Sequence, residues 1–153
     1  MELTVTFWPE GAIPPWQGGA ARPVAVFHDV TTDEQGLFRI TDIPPSVLPP
    51  GKYDLRVNSR STLATLSPGV TFPVPGNSNI APAPVPVNLE GLRDGDIDGN
   101  NIVDHLDLLA LKASFARLTG ETGFNGNADF NGDRVVDAQD FSSLARNFNR
   151  RGE

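Results

Sequence analysis

Alternation of apolar and polar side chains dominates the first 90 residues, where no helical period appears. The alternating segments are short, and turn-forming runs of Pro, Gly and Asp separate them. Short strands with regular turns predict an all-β sandwich over residues 1–90. The clear strand candidates are Leu3–Trp8, Pro23–Val30, Gly36–Ile40 and Lys52–Asn58, and the weaker ones are Leu63–Leu66, Val70–Val74 and Val85–Leu89.

The apolar pattern changes to a helical period after residue 90. All 14 prolines also lie before residue 87, so we expect one domain over residues 1–90 and another over 91–153. The helical runs are Leu108, Leu111, Phe115 and Leu118, and then Phe141, Leu144, Ala145 and Phe148. Because the second run repeats the first at an interval of 33 positions, we expect one shared core, built from Val103, Leu111, Phe115, Val136, Leu144 and Phe148.

A twelve-residue pattern precedes each helical run, at Asp96–Asp107 (loop 1) and Asp129–Asp140 (loop 2). Calcium takes about six to eight oxygen ligands, and side chains at loop positions 1, 3, 5, 9 and 12 wrap around one point, with a backbone carbonyl from position 7. We therefore expect two calcium ions, one in each loop; the alternative is an acidic turn without an ion. The candidate ligands are Asp96, Asp98, Asn100, Ile102, Asp104 and Asp107, and then Asp129, Asn131, Asp133, Val135, Asp137 and Asp140.

Two loop positions carry further structural expectations. Position 6 requires a sharp turn that favours positive φ; Asn101 tolerates that conformation, and Arg134 tolerates it less well. We therefore expect loop 1 to bind its ion more tightly than loop 2. At position 9, Asp104 and Asp137 precede the helical runs and are expected to cap the helices.

Composition and motifs narrow the function classes. The net charge of −7 argues against a nucleic-acid or anionic-membrane partner, and the absence of cysteine excludes disulfides and thiolate metal sites. His28 and Asp29 are neighbours on a predicted strand and point to opposite faces, so they cannot act as a dyad. We therefore expect no enzymatic activity. A sugar-stacking platform of Trp8, Trp16 and Tyr53 is possible, although core packing is the favoured role of these rings.

Two loop–helix units without an entering helix resemble a type I dockerin, over about residues 94–149. The resemblance implies a small all-α fold of two EF-hand-type units, bound calcium and a cohesin domain as partner. In dockerins, loop positions 10 and 11 and helix residues about two turns on face the cohesin. By position, these are His105, Leu106, Ala113, Ser114 and Arg117, and then Ala138, Gln139, Arg146, Asn147 and Arg150. The two faces differ from each other, and neither has the Ser/Thr pair that many dockerins carry.

The stretch from Asp33 to Val57 resembles the carboxypeptidase-regulatory-like (transthyretin-like) group of Ig-like domains. The matching residues are Asp33, Gly36, Phe38, Pro50, Gly51, Tyr53, Leu55 and Val57. The resemblance implies an Ig-like sandwich that serves as a spacer or adhesive module.

Together these features predict a non-catalytic, calcium-dependent cohesin-docking module attached to an Ig-like spacer. We expect a monomer that belongs to a larger secreted or cell-surface protein, because calcium is millimolar outside cells and scarce in the cytosol. Two alternatives stay open. One is a calcium-stabilised structural module packed on the first domain, with no cohesin partner, and the other is a carbohydrate-binding sandwich.

Overall fold

The computed structural model describes residues 1–72, 85–87 and 91–153. The chain divides into two compact units. Unit 1 comprises Met1–Val57 and Thr65–Glu90, and unit 2 comprises Asn58–Ala64 and Gly91–Glu153. The elements are β1 (Glu2–Pro9), a 3-10 turn (Pro15–Gln17), β2 (Ala25–Thr31), β3 (Gly51–Ser59), β4 (Thr62–Leu63), β5 (Thr65–Phe72), β6 (Arg93–Asp94), α1 (His105–Ser114) and α2 (Ala138–Asn147). Among the described residues, no helix is both long and apolar enough to cross a membrane.

Unit 1 is built on a four-stranded sheet with the order β2-β1-β3-β5. Strands β1 and β2 pair antiparallel, and so do β3 and β5. Alternate residues of β1 and β3 point into one apolar core, where Phe7 makes edge-to-face contacts with Phe27, Tyr53 and Phe72 at centroid distances of 5.6, 6.3 and 5.2 Å. The odd-numbered positions of these strands therefore form the packed face, as the alternating pattern predicts.

The opposite face of the sheet is covered as well, and it buries two charged residues. The Arg56 guanidinium lies 5.1 Å from the Trp8 ring centroid and donates to the Ala12 carbonyl at 3.1 Å. The Asp54 carboxylate accepts from the backbone N–H groups of Gly11 and Gly69, at 2.8 and 3.0 Å. These bonds give both buried charged groups hydrogen-bond partners and fix the connection after β1 against the sheet.

The possible sugar-stacking platform of three rings is excluded because two of them are inaccessible. Trp8 and Tyr53 are buried, and alternation along the strands places them on opposite faces of the sheet. The Tyr53 hydroxyl donates to the Pro49 carbonyl at 2.7 Å. Core packing, the favoured role of these two rings, is confirmed.

Three of the four clear strand predictions are confirmed, by β1, β2 and β3. The prediction of a strand at Gly36–Ile40 is wrong, because this segment joins no sheet and Leu37 is 67% exposed. Asp33 closes a turn there by accepting from the N–H groups of Gln35 and Leu37, and the alternating residues that follow find no neighbouring strand.

The weaker strand candidates have mixed outcomes. Leu63–Leu66 is divided between β4 and β5, and β5 covers the start of Val70–Val74 as far as Phe72. The rest of that candidate and residues 88 and 89 lie outside the described residues, while residues 85–87 carry no strand. An N-terminal β-sheet region followed by a small helical region is confirmed. The described strands of unit 1 make one sheet, so the Ig-like sandwich stays a prediction.

Unit 2 packs its two helices around one apolar cluster. Its buried members are Leu63, Ile97, Val103, Leu111, Ala128, Val136 and Leu144. Leu63 comes from β4, which pairs antiparallel with β6 through Thr62↔Asp94 and Leu63↔Arg93. The segment 58–64 therefore belongs to this unit, whereas the predicted division at residue 90 placed it in the first domain.

The predicted core is right for the leucines and valines and wrong for the phenylalanines. Leu111 and Leu144 are each 1% exposed, whereas Phe115 is 46% and Phe148 37% exposed. Each phenylalanine is the residue that ends its helix, with φ near −60° and ψ of 138°. Because the backbone leaves the helical path there, the ring is carried away from the face that the helical period assigned to it.

Candidate calcium loops and partner face

Loop 1 brings three acidic side chains together. Carboxylate oxygens of Asp96, Asp98 and Asp107 all lie within 4.8 Å of one another. Asp96 is buried; its Oδ2 accepts from the Asn101 N–H at 2.9 Å, and its Oδ1 is buried without a hydrogen-bond partner. An unpartnered buried oxygen beside two further carboxylates fits the donor set that a hard divalent cation requires.

The electrostatics of Asp96 agree with such a site. Burial raises the pKa of Asp96 to about 6, and the neighbouring Asp107 and Asp98 carboxylates add to the rise, against the lowering effect of the hydrogen bond from Asn101. A carboxylate held among others in a desolvated position is stabilised in its charged form by a bound cation.

Asp107 links the start of loop 1 to the start of α1. Its Oδ1 accepts from the N–H groups of Ile97 and Asp98, at 2.7 and 3.2 Å, and its Oδ2 accepts from the Asp104 N–H at 2.8 Å. The Asp104 side chain in turn accepts from the Leu106 N–H at 2.7 Å. The two aspartates form a capping box, which confirms the predicted cap at Asp104.

Short side-chain turns fold the middle of loop 1. Asp98 Oδ1 accepts from the Asn100 N–H at 3.0 Å, and Asn100 Oδ1 accepts from the Ile102 N–H at 2.8 Å. Aspartate and asparagine favour such turns because their short side chains reach the backbone two residues on. Alternating Asp and Asn residues thus curl the chain around the acidic cluster, and their roles as ligands, with the Ile102 carbonyl, stay predictions.

The sharp turn expected at position 6 is present in both loops. Asn101 has φ of 66° and Arg134 has φ of 76°. Asn101 is also buried, and its side-chain Oδ1 accepts from the Ala64 N–H at 2.7 Å, whereas Arg134 is exposed. The two loops therefore share a backbone path and differ in what surrounds it.

Loop 2 repeats the bonding pattern of loop 1. Asp140 accepts from the N–H groups of Phe130 and Asp137, at 2.8 and 2.9 Å, and completes a capping box with Asp137. Asp129 accepts from the Arg134 N–H at 3.0 Å. Asp129 is less buried than its counterpart Asp96. Within the described ranges, loop 1 is the place where three acidic side chains come within 4.8 Å of one another.

The two repeats interlock through the segment that follows each helix. Ala116 N donates to Val136 O at 2.7 Å, and Val136 N donates to Arg117 O at 3.1 Å. In the same way, Asn149 N donates to Val103 O at 2.8 Å, and Val103 N donates to Arg150 O at 2.9 Å. Each loop is held by the end of the other repeat, and the position 8 valines of both loops are fully buried, as expected.

Comparison with known protein families gives a match within unit 2. Residues 94–149 match the family model of the dockerin type I domain. No curated protein matches the chain.

Several solved structures resemble this chain, and two of them cover 98% of it. One is described as a C-terminal interface mutant of a type II cohesin–X–dockerin complex from Acetivibrio cellulolyticus; it has a TM-score of 0.57 and 18% identity, over 98% of this chain and 82% of that one. The other is described as an N-terminal interface mutant of the same kind of complex, with a TM-score of 0.55 and 17% identity over the same shares. At these identities the likeness shows the fold alone.

Most of the predicted partner residues lie on the surface of unit 2. The exposed ones are His105, Leu106, Ala113 and Arg117 from the first repeat and Ala138, Gln139, Arg146 and Arg150 from the second. Their role in partner binding stays a prediction.

Ser114 and Asn147 occupy equivalent positions in the two repeats, and both side chains form hydrogen bonds within unit 2. Ser114 is buried, and its Oγ accepts from the Asn125 N–H at 2.7 Å. Asn147 is half-buried, and its Nδ2 donates to the Asp94 carbonyl at 2.8 Å. Each side chain fixes the segment that leads into a loop. Ser114 is too deeply buried to contact a partner, whereas the partner role of the half-buried Asn147 stays a prediction.

The sequence interpretation missed one exposed apolar residue on the first helix. Leu109 is 57% exposed and lies between Leu106 and Ala113 at helical spacing, so the three share one face of α1. The signal was available, since residues 106, 109 and 113 form a second apolar stripe beside the core stripe. The equivalent residues on α2 are the polar Gln139, Ser142 and Arg146.

Proposed function

We propose that this chain is a calcium-dependent docking module that binds a cohesin through residues 94–149. The observation that carries the proposal is the match of this segment to the dockerin type I domain, on a backbone with two capped loops that each lead into a helix. The two similar solved structures are complexes with a cohesin, which supports the same class of partner here.

In this proposal each loop holds one calcium ion. The ligands are the oxygens of Asp96, Asp98, Asn100, Asp104 and Asp107 with the Ile102 carbonyl in loop 1, and of Asp129, Asn131, Asp133, Asp137 and Asp140 with the Val135 carbonyl in loop 2. A carboxylate oxygen that already accepts a backbone hydrogen bond keeps a second lone pair, so capping and ligation are compatible. The ions neutralise the clustered aspartates and hold both helices in a single arrangement.

The proposed partner face combines an apolar half and a charged half. On α1 it consists of Leu106, Leu109 and Ala113, with Leu106 and Leu109 48% and 57% exposed. On α2 it carries Arg146 and, beyond the helix, Arg150. Because the halves differ in chemistry, the complex forms in one orientation, in which α1 supplies the apolar contacts and α2 the charged ones.

The β-rich unit 1 serves as an Ig-like spacer in this proposal, and the chain is part of a secreted protein. Millimolar calcium outside cells is sufficient for loops of moderate affinity. The role is binding and not catalysis. If the two loops bind calcium and no cohesin binds, the chain is instead a calcium-stabilised structural module.

Calorimetric titration of the full chain against purified type I and type II cohesins tests the proposal. We expect one cohesin class to bind in calcium and to lose its binding in EDTA. The Arg146→Glu/Arg150→Glu variant should bind the cohesin more weakly and keep its calcium affinity, because both residues lie beyond loop 2. Normal calcium binding without binding to any cohesin would refute the docking role.

A further inference from the structure

The segment 58–64 contacts loop 1 at both ends of its first half. The Ser61 carbonyl accepts from the N–H groups of Gly95 and Asp96, at 3.0 and 3.2 Å. The Ala64 N–H donates to Asn101 Oδ1 at 2.7 Å, in a buried position. The segment thus holds loop position 1, which carries the buried carboxylate, and loop position 6, which makes the sharp turn.

The same segment is anchored in the unit by further contacts. Leu63 is 2% exposed and packs in the cluster that contains Val103 of loop 1. The Ala64 carbonyl accepts from the Glu153 N–H at 2.9 Å. Neither residues 58–64 nor Glu153 lie in the segment 94–149 that matches the dockerin type I domain. The unit is therefore completed by residues on both sides of the matched segment.

Asn101 is the link between the segment and the loop. Its N–H donates to Asp96 Oδ2, while its side chain accepts from Ala64. Gly152 lies so close that a Cβ at that position would overlap the Asn101 side chain. Loop 2 has no such arrangement among the described residues, because its position 6 residue, Arg134, is exposed.

We propose that residues 58–64 are a positioning element of loop 1, acting through Asn101, and that calcium binding to loop 1 and seating of this segment stabilise each other. The inference rests on the calcium binding of the proposed function. Without an ion, repulsion among Asp96, Asp98 and Asp107 opposes the closed loop on which Ser61 and Ala64 are seated. Because linkage is reciprocal, whatever unseats the segment weakens calcium binding by the same factor.

Glycine at position 6 distinguishes this coupling from a local role of Asn101. Glycine is the residue that the turn itself prefers, so a purely local role predicts that Asn101→Gly keeps or increases the affinity of loop 1. Coupling predicts the opposite, a loss of about tenfold, because the side-chain acceptor of Ala64 is removed. The matched control is Arg134→Gly, which should leave loop 2 unchanged or tighter.

The measurement is a calcium titration of the full chain after EDTA treatment, followed by amide NMR so that each loop is resolved. Gly152→Ala is a second variant, which displaces the Asn101 side chain without changing any loop residue, and it should weaken loop 1 in the same way. Equal or tighter binding at loop 1 in both variants would overturn the inference.

Hydrogen exchange tests the reciprocal effect in the unmodified chain. We expect the Ala64 amide to exchange at least about tenfold more slowly in calcium than in EDTA. The Val24 amide, which donates to Phe7 O within unit 1, provides the internal reference. Calcium binding with unchanged Ala64 exchange would overturn this inference alone, whereas a chain that binds no calcium would overturn the proposed function and this inference together.

Discussion

Ala116 and Asn149 adopt the same left-handed backbone conformation at equivalent places in the two repeats, with φ of 59° and 64°. Each follows the residue that ends its helix and donates its N–H to a valine carbonyl of the opposite loop, at 2.7 and 2.8 Å. Asparagine tolerates this conformation, and alanine is strained in it. The strain persists because the hydrogen bond to Val136 needs this chain path.

The first prediction uses that strain. Ala116→Gly should stabilise unit 2 by about 1 kcal/mol. The left-handed conformation costs an alanine about 1–2 kcal/mol and costs glycine very little. The greater entropy that glycine loses on folding removes part of this gain. The control is Ala113→Gly within α1, which should destabilise by about 1 kcal/mol. Urea unfolding of the full chain in calcium, followed by far-UV circular dichroism, measures both. Destabilisation by both variants would contradict the strain argument.

The second prediction concerns the residues at the ends of the core stripes. Leu144→Ala should cost about 2–5 kcal/mol, because it removes a fully buried side chain from the shared cluster. Phe148→Ala should cost only about 1 kcal/mol, since its ring is 37% exposed at the end of α2. The same unfolding assay compares them, and a larger loss for Phe148→Ala would mean that its ring belongs to a core.

The third prediction is that calcium stabilises unit 2 by binding to its folded state. Mutual repulsion among the four aspartates of each loop opposes closure without a cation. Because no preformed site exists in the unfolded chain, binding energy appears as folding energy. Removal of calcium with EDTA should lower the helical signal or its unfolding midpoint. Magnesium should restore the signal poorly, because it prefers octahedral geometry and retains its waters. An unfolding curve that is identical in calcium and EDTA would refute the prediction.

The fourth prediction concerns pH and follows from Asp96. The pKa of Asp96 is raised in the folded state to about 6 from its ordinary value of 3.8, so between these pH values the folded state holds a proton that the unfolded state has released. In calcium-free protein, the stability from this group is fully present below pH 3.8 and is lost as the pH rises through 6. Calcium affinity changes in the opposite sense and should fall by up to about tenfold per pH unit below 6, for one displaced proton.

Asp96→Asn checks the assignment of that pH dependence. The variant removes the titrating group and should flatten the stability of the calcium-free protein between pH 4 and 7. Asp94 also has a raised pKa, through burial and then the nearby Asp140 carboxylate, so a smaller change in the same direction should remain. An unaltered pH profile in Asp96→Asn would assign the dependence to other groups.

The fifth prediction tests the apolar half of the proposed partner face. Leu109→Glu should weaken cohesin binding by at least about tenfold, because it places a charge in the centre of the exposed stripe on α1. Ser142→Glu is the matched control at the equivalent place on α2 and should have a smaller effect. Both variants should bind calcium as the original chain does. A larger effect of Ser142→Glu would assign the central contact to α2.

Local features of unit 2 could be predicted from the sequence, because each is caused by residues only a few positions away along the chain. Loop curvature comes from side chains that bond the backbone two residues on, and the caps at Asp104 and Asp137 come from an aspartate next to a helix start. The positive φ at position 6 follows from the turn itself. Repetition at an interval of 33 then indicated which leucines and valines share the core.

Tertiary structure decided the features whose partners are distant in sequence. Helical spacing assigned Phe148 to the core, but the helix ends before it, and the role of Asn147 depends on the carbonyl of Asp94. Alternation predicted a strand at Gly36–Ile40, but this segment pairs with no described strand. Leu63 packs in the core of unit 2, although it lies 33 residues before loop 1 begins at Asp96. The apolar pattern around Leu63 does not indicate this contact. Sequence by itself therefore determined the two loop–helix repeats, and only the folded chain decided which segments complete them, because burial depends on neighbours that pattern alone does not specify.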